Sequence, residues 1–113
     1  MTSMLKKKDW STQTRRALKA PEVVAKLAQL DGWSLSGDGE NVAIEKTYHF
    51  ANYYATISFV NAVAFIANAQ DQHPDLSGHY NRCVVGLNTH DVQGISITDI
   101  ECAAQFDQLL VLA

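Results

Sequence analysis

Three of the four histidines lie close together in the sequence. His73 sits in Gln72-His73-Pro74-Asp75-Leu76-Ser77, His79 just precedes Tyr80-Asn81-Arg82, and His90 is the centre of Thr89-His90-Asp91. Imidazole is the one side chain whose ordinary pKa lies near neutrality, so it can either donate or accept a proton in a reaction at physiological pH. Histidines gathered around a helix end and a strand end can therefore form a proton-transfer site. A lone histidine is more often a surface residue or a satisfied core residue, so the spacing must carry the argument. No metal-type cysteine spacing accompanies these histidines.

The elements that must position them can be read from hydrophobic period and breakers. Pro21 suits the first turn of a helix and Glu22 its positive end. Val23, Val24, Leu27 and Leu30 mark one face of that helix, and Asp31-Gly32 stops it. Trp33-Ser34-Leu35 reads as a short strand and Gly37-Asp38-Gly39 as a turn. Val42, Ile44, Tyr48 and Phe50 then alternate with polar residues, which predicts a strand with one buried face and His49 on the solvent side. Asn52 suits a helix cap. From Tyr53, two apolar rows recur at helical spacing: Ile57, Val60, Ala64 and Ala67, flanked by Phe59, Val63 and Ile66. Two rows exceed what one sheet face needs, which predicts a partner subunit on the far side of this helix. Pro74 ends the helix around Asp71. Gly78 marks a bent edge strand. Tyr80–Thr89 alternates again through Cys83, Val85, Leu87 and Thr89, so His90 emerges where that strand ends. After Gly94, Thr98 is expected to cap a last helix with Ile100, Ala103, Ala104, Phe106, Leu109 and Leu110 facing inward. Asp99 and Glu101 suit the first turn. The order is helix, two strands, long helix, two strands, helix. It predicts an α+β fold, a four-stranded antiparallel sheet with three helices packed on one face.

At 113 residues, with 47% hydrophobic and 19% charged side chains, the chain has the length and composition of one globular domain. No apolar run reaches a membrane span, and the triple lysine at Lys6–Lys8 is followed by Asp9 and polar residues rather than a signal-peptide core. A cytoplasmic protein with no membrane partner is expected. Cys83 and Cys102 fall at apolar positions, as buried thiols of a reducing compartment do. The net charge of −3 conceals a basic arm. Residues 1–20 carry Lys6, Lys7, Lys8, Arg15, Arg16 and Lys19 against Asp9 alone. With Trp10 its only aromatic and no reading helix behind it, this arm is read as solvated and partly disordered, not as a nucleic-acid contact. The folded domain is expected over residues 21–113.

The motifs His73-Pro74-Asp75-Leu76-Ser77, Tyr80-Asn81-Arg82 and Thr89-His90-Asp91, followed by Gly94, Ile95 and Asp99, resemble those of pterin-4a-carbinolamine dehydratases, also called 4a-hydroxytetrahydrobiopterin dehydratases. Trp33, the Tyr48-His49-Phe50 strand end and the aromatic start of the long helix share the likeness. The resemblance implies loss of water from a 4a-hydroxytetrahydropterin to give a quinonoid dihydropterin, in the recycling of tetrahydrobiopterin. It implies no metal or tightly bound cofactor, a homodimer or homotetramer with the long helix central, and an aromatic amino acid hydroxylase as working partner. His73 and His90 match two of the family's three histidines and are expected to be the acid/base pair. The third position holds Gln72, and the acidic position four residues before it holds Asn68. Gln72, Asn68, Pro74 and Asp75 are expected to contact the pterin. Gln72 can hydrogen-bond but cannot carry a proton. The two departures open an alternative, a dehydratase-like interaction module with an impaired site, as in relatives that act as dimerisation or assembly factors. His79 matches no catalytic position and is read as surface.

Overall fold

The computed structural model describes residues 15–111; most of the basic arm therefore lies outside the described residues. The element order is α1 (Ala20–Leu27), β1 (Ser34–Ser36), β2 (Ala43–His49), α2 (Tyr53–Ala69), β3 (Asp75–Gly78), β4 (Arg82–Leu87) and α3 (Ile97–Val111). The strands form one antiparallel sheet in the order β1-β2-β4-β3. The α+β architecture expected from the hydrophobic periods is the one observed.

Alternation decides which sheet face is covered. Ile44 and Tyr48 of β2 and Cys83, Val85 and Leu87 of β4 are buried. Val23 of α1, Phe59, Val63 and Ala67 of α2, and Cys102, Ala103 and Phe106 of α3 join them in a single core. Phe106 is fully buried, and a side chain of that size contributes about 2–3 kcal/mol when withdrawn from water. Both cysteines lie in this core, and burial pushes the Cys83 thiol pKa up.

The long helix begins as its sequence dictates: Asn52 caps it by accepting from the Ala55 N–H at 2.9 Å. Its core row is Thr56, Phe59, Val63 and Ala67. Of the row through Ile57, Val60, Ala64 and Ala67, Ala67 is buried and Val60 packs against the core, while Ala64 is exposed. On α3, Leu110 also departs from expectation and is 42% exposed.

Two of the shifted boundaries have a visible cause. Strand β4 starts at Arg82 rather than Tyr80, because His79 N–H donates to the Arg82 carbonyl at 2.9 Å and closes a tight hairpin turn first. Helix α3 starts at Ile97, so Thr98 is inside it and does not cap it. The Thr98 hydroxyl is buried without a hydrogen-bond partner among the described residues.

Residues 15–19, expected to belong to the arm, run along the domain. The Leu18 N–H donates to the Ile95 carbonyl at 2.7 Å. Arg16 pairs with Glu22 at 3.0 Å, and that hydrogen bond, ahead of the one from the Lys19 N–H, holds the Glu22 carboxyl down at about 2. At the other end of the sheet, Asp107 of α3 gathers three donors: Trp33 Nε1 at 3.2 Å, Lys46 Nζ at 2.9 Å and the Tyr48 hydroxyl at 2.5 Å.

Candidate active site

The end of α2 sets His73 in place. Gln70 is the last residue with helical backbone, and Asp71 turns left-handed with φ 53°. The Asp71 N–H donates to the Asn68 carbonyl at 3.1 Å, and the Gln72 N–H donates to the Ala67 carbonyl at 2.9 Å. This pair of bonds is a Schellman closure, usually built on glycine at the left-handed position. Pro74 then bars any return to helix. The turn sends the Gln72 side chain inward, 5% exposed, while His73 stays exposed. His73, Gln72, Asn68, Pro74, Asp71 and Ala64 are among the residues lining a cleft of about 260 Å³ against α2.

His90 arrives from the opposite side of one hairpin. Strands β3 and β4 pair with Asp75 opposite Gly86, so His73 precedes one strand and His90 follows the other. Thr89 forms a bridge with Gly94, which pinches off the loop that begins with the exposed His90.

A buried polar clasp joins the two segments. Gln72 Nε2 donates to the Asn88 carbonyl at 2.9 Å and also to Asp99 Oδ1. The other oxygen of Asp99 accepts from the Thr89 hydroxyl at 2.8 Å and from the Ser96 N–H at 2.9 Å. Thr89, Ser96 and Asp99 are all inaccessible to solvent or nearly so. The residue just before each histidine is thus tied to the same carboxylate.

Asp99 sits in the first turn of α3, as expected, and is also the hub of this clasp. A local signal for it exists. Ser96 followed three residues later by an acid, just ahead of an apolar helix, is a capping-box pattern, and Asp99 does reach back to the Ser96 N–H. Thr89 carries no such individual signal.

Burial raises the Asp99 carboxyl to about 6, although hydrogen bonds from Ser96, Thr89 and Gln72 favour its charged form. That lies above its ordinary 3.8, so the folded chain holds the proton more tightly than the unfolded one. The resulting stability is fully present below about pH 4 and is lost as the pH rises through about 6. Relative to Asp99→Asn, which does not titrate, the wild type should lose about 2–3 kcal/mol of unfolding free energy between about pH 4 and pH 7. Denaturant titrations at both pH values check this, and a pH-independent difference would contradict it.

Asn68, Gln72, His73 and Pro74 line this cleft together, while His90 and Asp75 do not. Asp75 lies with Glu45, Ser77 and Gly86 around a separate cavity on the sheet face opposite the core. His79 is exposed at the hairpin turn with its Nε2 3.0 Å from the Ser77 hydroxyl, and His49 is exposed at the end of β2. Among the described residues, no group of three histidine, cysteine or acidic side chains is arranged to hold a metal ion. None of the helices among them is long and apolar enough to cross a membrane.

The sequence pattern of the family described as Pterin 4 alpha carbinolamine dehydratase matches residues 16–109. A provisionally named pterin-4-alpha-carbinolamine dehydratase of Paracidovorax citrulli is 75% identical over 109 residues, covering 96% of this chain and 94% of that one. A crystal structure described as a transcriptional coactivator/pterin dehydratase from Brucella melitensis superposes with a TM-score of 0.77 at 30% identity, covering 82% of this chain and 97% of that chain. A pterin dehydratase-like protein identified as a RuBisCO assembly factor in the alpha-carboxysome shares the fold, with a TM-score of 0.59 at 22% identity, covering 69% of this chain and 88% of that chain. With a match running from the residue after Arg15 almost to the end of α3, the chain belongs to the pterin-4-alpha-carbinolamine dehydratase family.

Proposed function

We propose that this protein dehydrates a 4a-hydroxytetrahydropterin to a quinonoid dihydropterin in the cytoplasm. The observation that carries the reading is the clasp at Asp99, which holds the His73 and His90 segments side by side next to an open cleft. The reaction breaks the C4a–O bond and the N5–H bond. One imidazole protonates the departing hydroxyl, which leaves as water, and the other accepts the N5 proton, so the pair ends with its protons exchanged and no redox partner is needed. His73 and His90 fill these roles. Asn68 and Pro74 wall the cleft beside His73. Gln72 has its amide nitrogen committed inward, which leaves its Oε1 as the atom available to a pterin N–H. Asp75, on the other sheet face, has no place in this cleft.

Such a reaction consumes a product of pterin-dependent hydroxylation, so an aromatic amino acid hydroxylase is the class of enzyme it would serve. The outward side of α2 and its start expose Tyr54 at 81%, Tyr53 at 48% and Phe65 at 45%, which supports a homodimer or homotetramer. Sedimentation at micromolar concentration checks this, and a clean monomer would remove the proposal.

The alternative, an interaction module with an impaired site, is favoured by one observation. Gln72 and Asn68 stand where a proton carrier and an acid are expected, and the Gln72 amide is used structurally. The purified protein should accelerate formation of quinonoid dihydropterin from a 4a-hydroxytetrahydropterin above its spontaneous rate. Gln72→His sets an imidazole against Asp99 at the rim of the cleft and should raise that rate at least roughly tenfold. If the wild type is inert and a folded Gln72→His variant is inert too, the interaction module is the better reading.

A further inference from the structure

The geometry points to Arg15, outside the stretch that matches the family, as a positioning residue that sets the His73 turn. The proposal rests on the dehydratase reading only for its kinetic consequence. The Arg15 guanidinium donates through Nη2 to the Gln70 carbonyl at 3.1 Å and the Asp71 carbonyl at 3.0 Å. These are the carbonyls that the left-handed turn at Asp71 leaves without intrahelical donors, and a cation suits that negative helix end. Asp71 in turn lines the cleft and leads directly into Gln72 and His73.

The same strap reaches the other histidine. Three residues on, the Leu18 N–H holds the Ile95 carbonyl at 2.7 Å, and Ala17 stands 3.5 Å from where a Cβ on Gly94 would lie. Gly94 is the bridge partner of Thr89, whose neighbour is His90. Residues 15–18 therefore span from the turn before His73 to the loop after His90. They form a second tie across the site, opposite in kind to the buried clasp: a backbone strap ending in a guanidinium. Loosening that end lets the Asp71 turn shift, and a misplacement of about an ångström at a reacting group can cost on the order of 10²-fold in rate.

The test compares wild type, Arg15→Lys and Arg15→Gln in the full chain, with imidazole NMR signals and dehydration kinetics measured on each. Arg15→Gln removes the charge and the fork; it should move the His73 ring signals while those of His79 stay put, and should lower kcat about tenfold or more with a smaller change in KM. Arg15→Lys keeps a cation but loses the planar fork, and should recover part of both effects. Should Arg15→Gln fail to fold, Arg15→Lys carries the same comparison. A lowered melting temperature with the His73 signals and kcat unchanged would overturn the proposal and leave Arg15 a stability element alone. If the wild type proves inert toward the hydroxypterin, the dehydratase reading fails by itself. The His73 signals then still decide whether Arg15 positions the turn.

Discussion

Alanine at His73 or at His90 should slow dehydration by roughly 10²–10⁴-fold, the usual cost of removing a general acid or base, with little change in stability. Both side chains are exposed, and neither belongs to the core, so truncation opens no cavity. The residues that hold each segment, Gln72 and Thr89, keep their bonds to Asp99 in both variants. A loss confined to turnover, with an unchanged denaturant midpoint, is the expected pattern. His90 is the sharper test because it lies outside the cleft lining. Turnover within a factor of two of wild type for His90→Ala would show that it carries no proton, and would confine the chemistry to His73 and the cleft.

Asp107→Ala should destabilise the fold by about 3–4 kcal/mol, lowering the melting temperature by roughly 15 °C for a domain of this size. One carboxylate there serves the Trp33 indole, the Lys46 ammonium and the Tyr48 hydroxyl. Trp33 and Tyr48 are almost fully buried, so their donors would lose their acceptor, and water could replace it only through the place of the Asp107 carboxylate, 25% exposed. Burial first, and the Asp107 contact second, push the Tyr48 phenol pKa up, so it stays a donor. Lys46 is partly solvated and contributes less, its side chain being 20% exposed. Asp107→Asn keeps one acceptor oxygen and should lose about half as much. Thermal and urea denaturation measure both variants. A loss under about 1 kcal/mol for Asp107→Ala would mean that water replaces the carboxylate.

These two sites differ in how far the sequence alone reveals them. The alternation through Ile44 and Tyr48, the Asn52 cap and the stop before Pro74 are local patterns, and each fixes an element without reference to the rest. So is the His73-Pro74-Asp75 motif, whose likeness to a family suggested the chemistry proposed above. Asp107 carries no such pattern, because its three donors come from parts of the chain far away in sequence. Asp99 was half legible: its reach-back to Ser96 is local, but its bonds to Gln72 and Thr89 depend on how the β3–β4 hairpin meets α3. Charge composition misled at residues 15–19. A basic stretch reads as solvated, yet Leu18 is held by Ile95 and Arg15 by a helix end, contacts no window of neighbouring residues contains. The sheet face on which Asp75 stands was not legible, because a four-residue edge strand is too short for its parity to assign one.

The pairing of β3 with β4 acts as a vernier between the two histidine segments. His73 and His90 hang from the two open ends of one hairpin, so their offset along the strands is fixed by which residues pair, Asp75 with Gly86. A slip of two residues would keep every side chain on its own face and leave the core nearly satisfied. It would nevertheless displace one histidine against the other by about 6.6 Å, the rise of two strand residues. The closed end of that hairpin, where the His79 N–H meets the Arg82 carbonyl, therefore governs how the two histidines stand relative to each other without standing near them. A residue inserted there lengthens only a surface turn, yet it puts at risk the distance on which the proposed proton transfer depends.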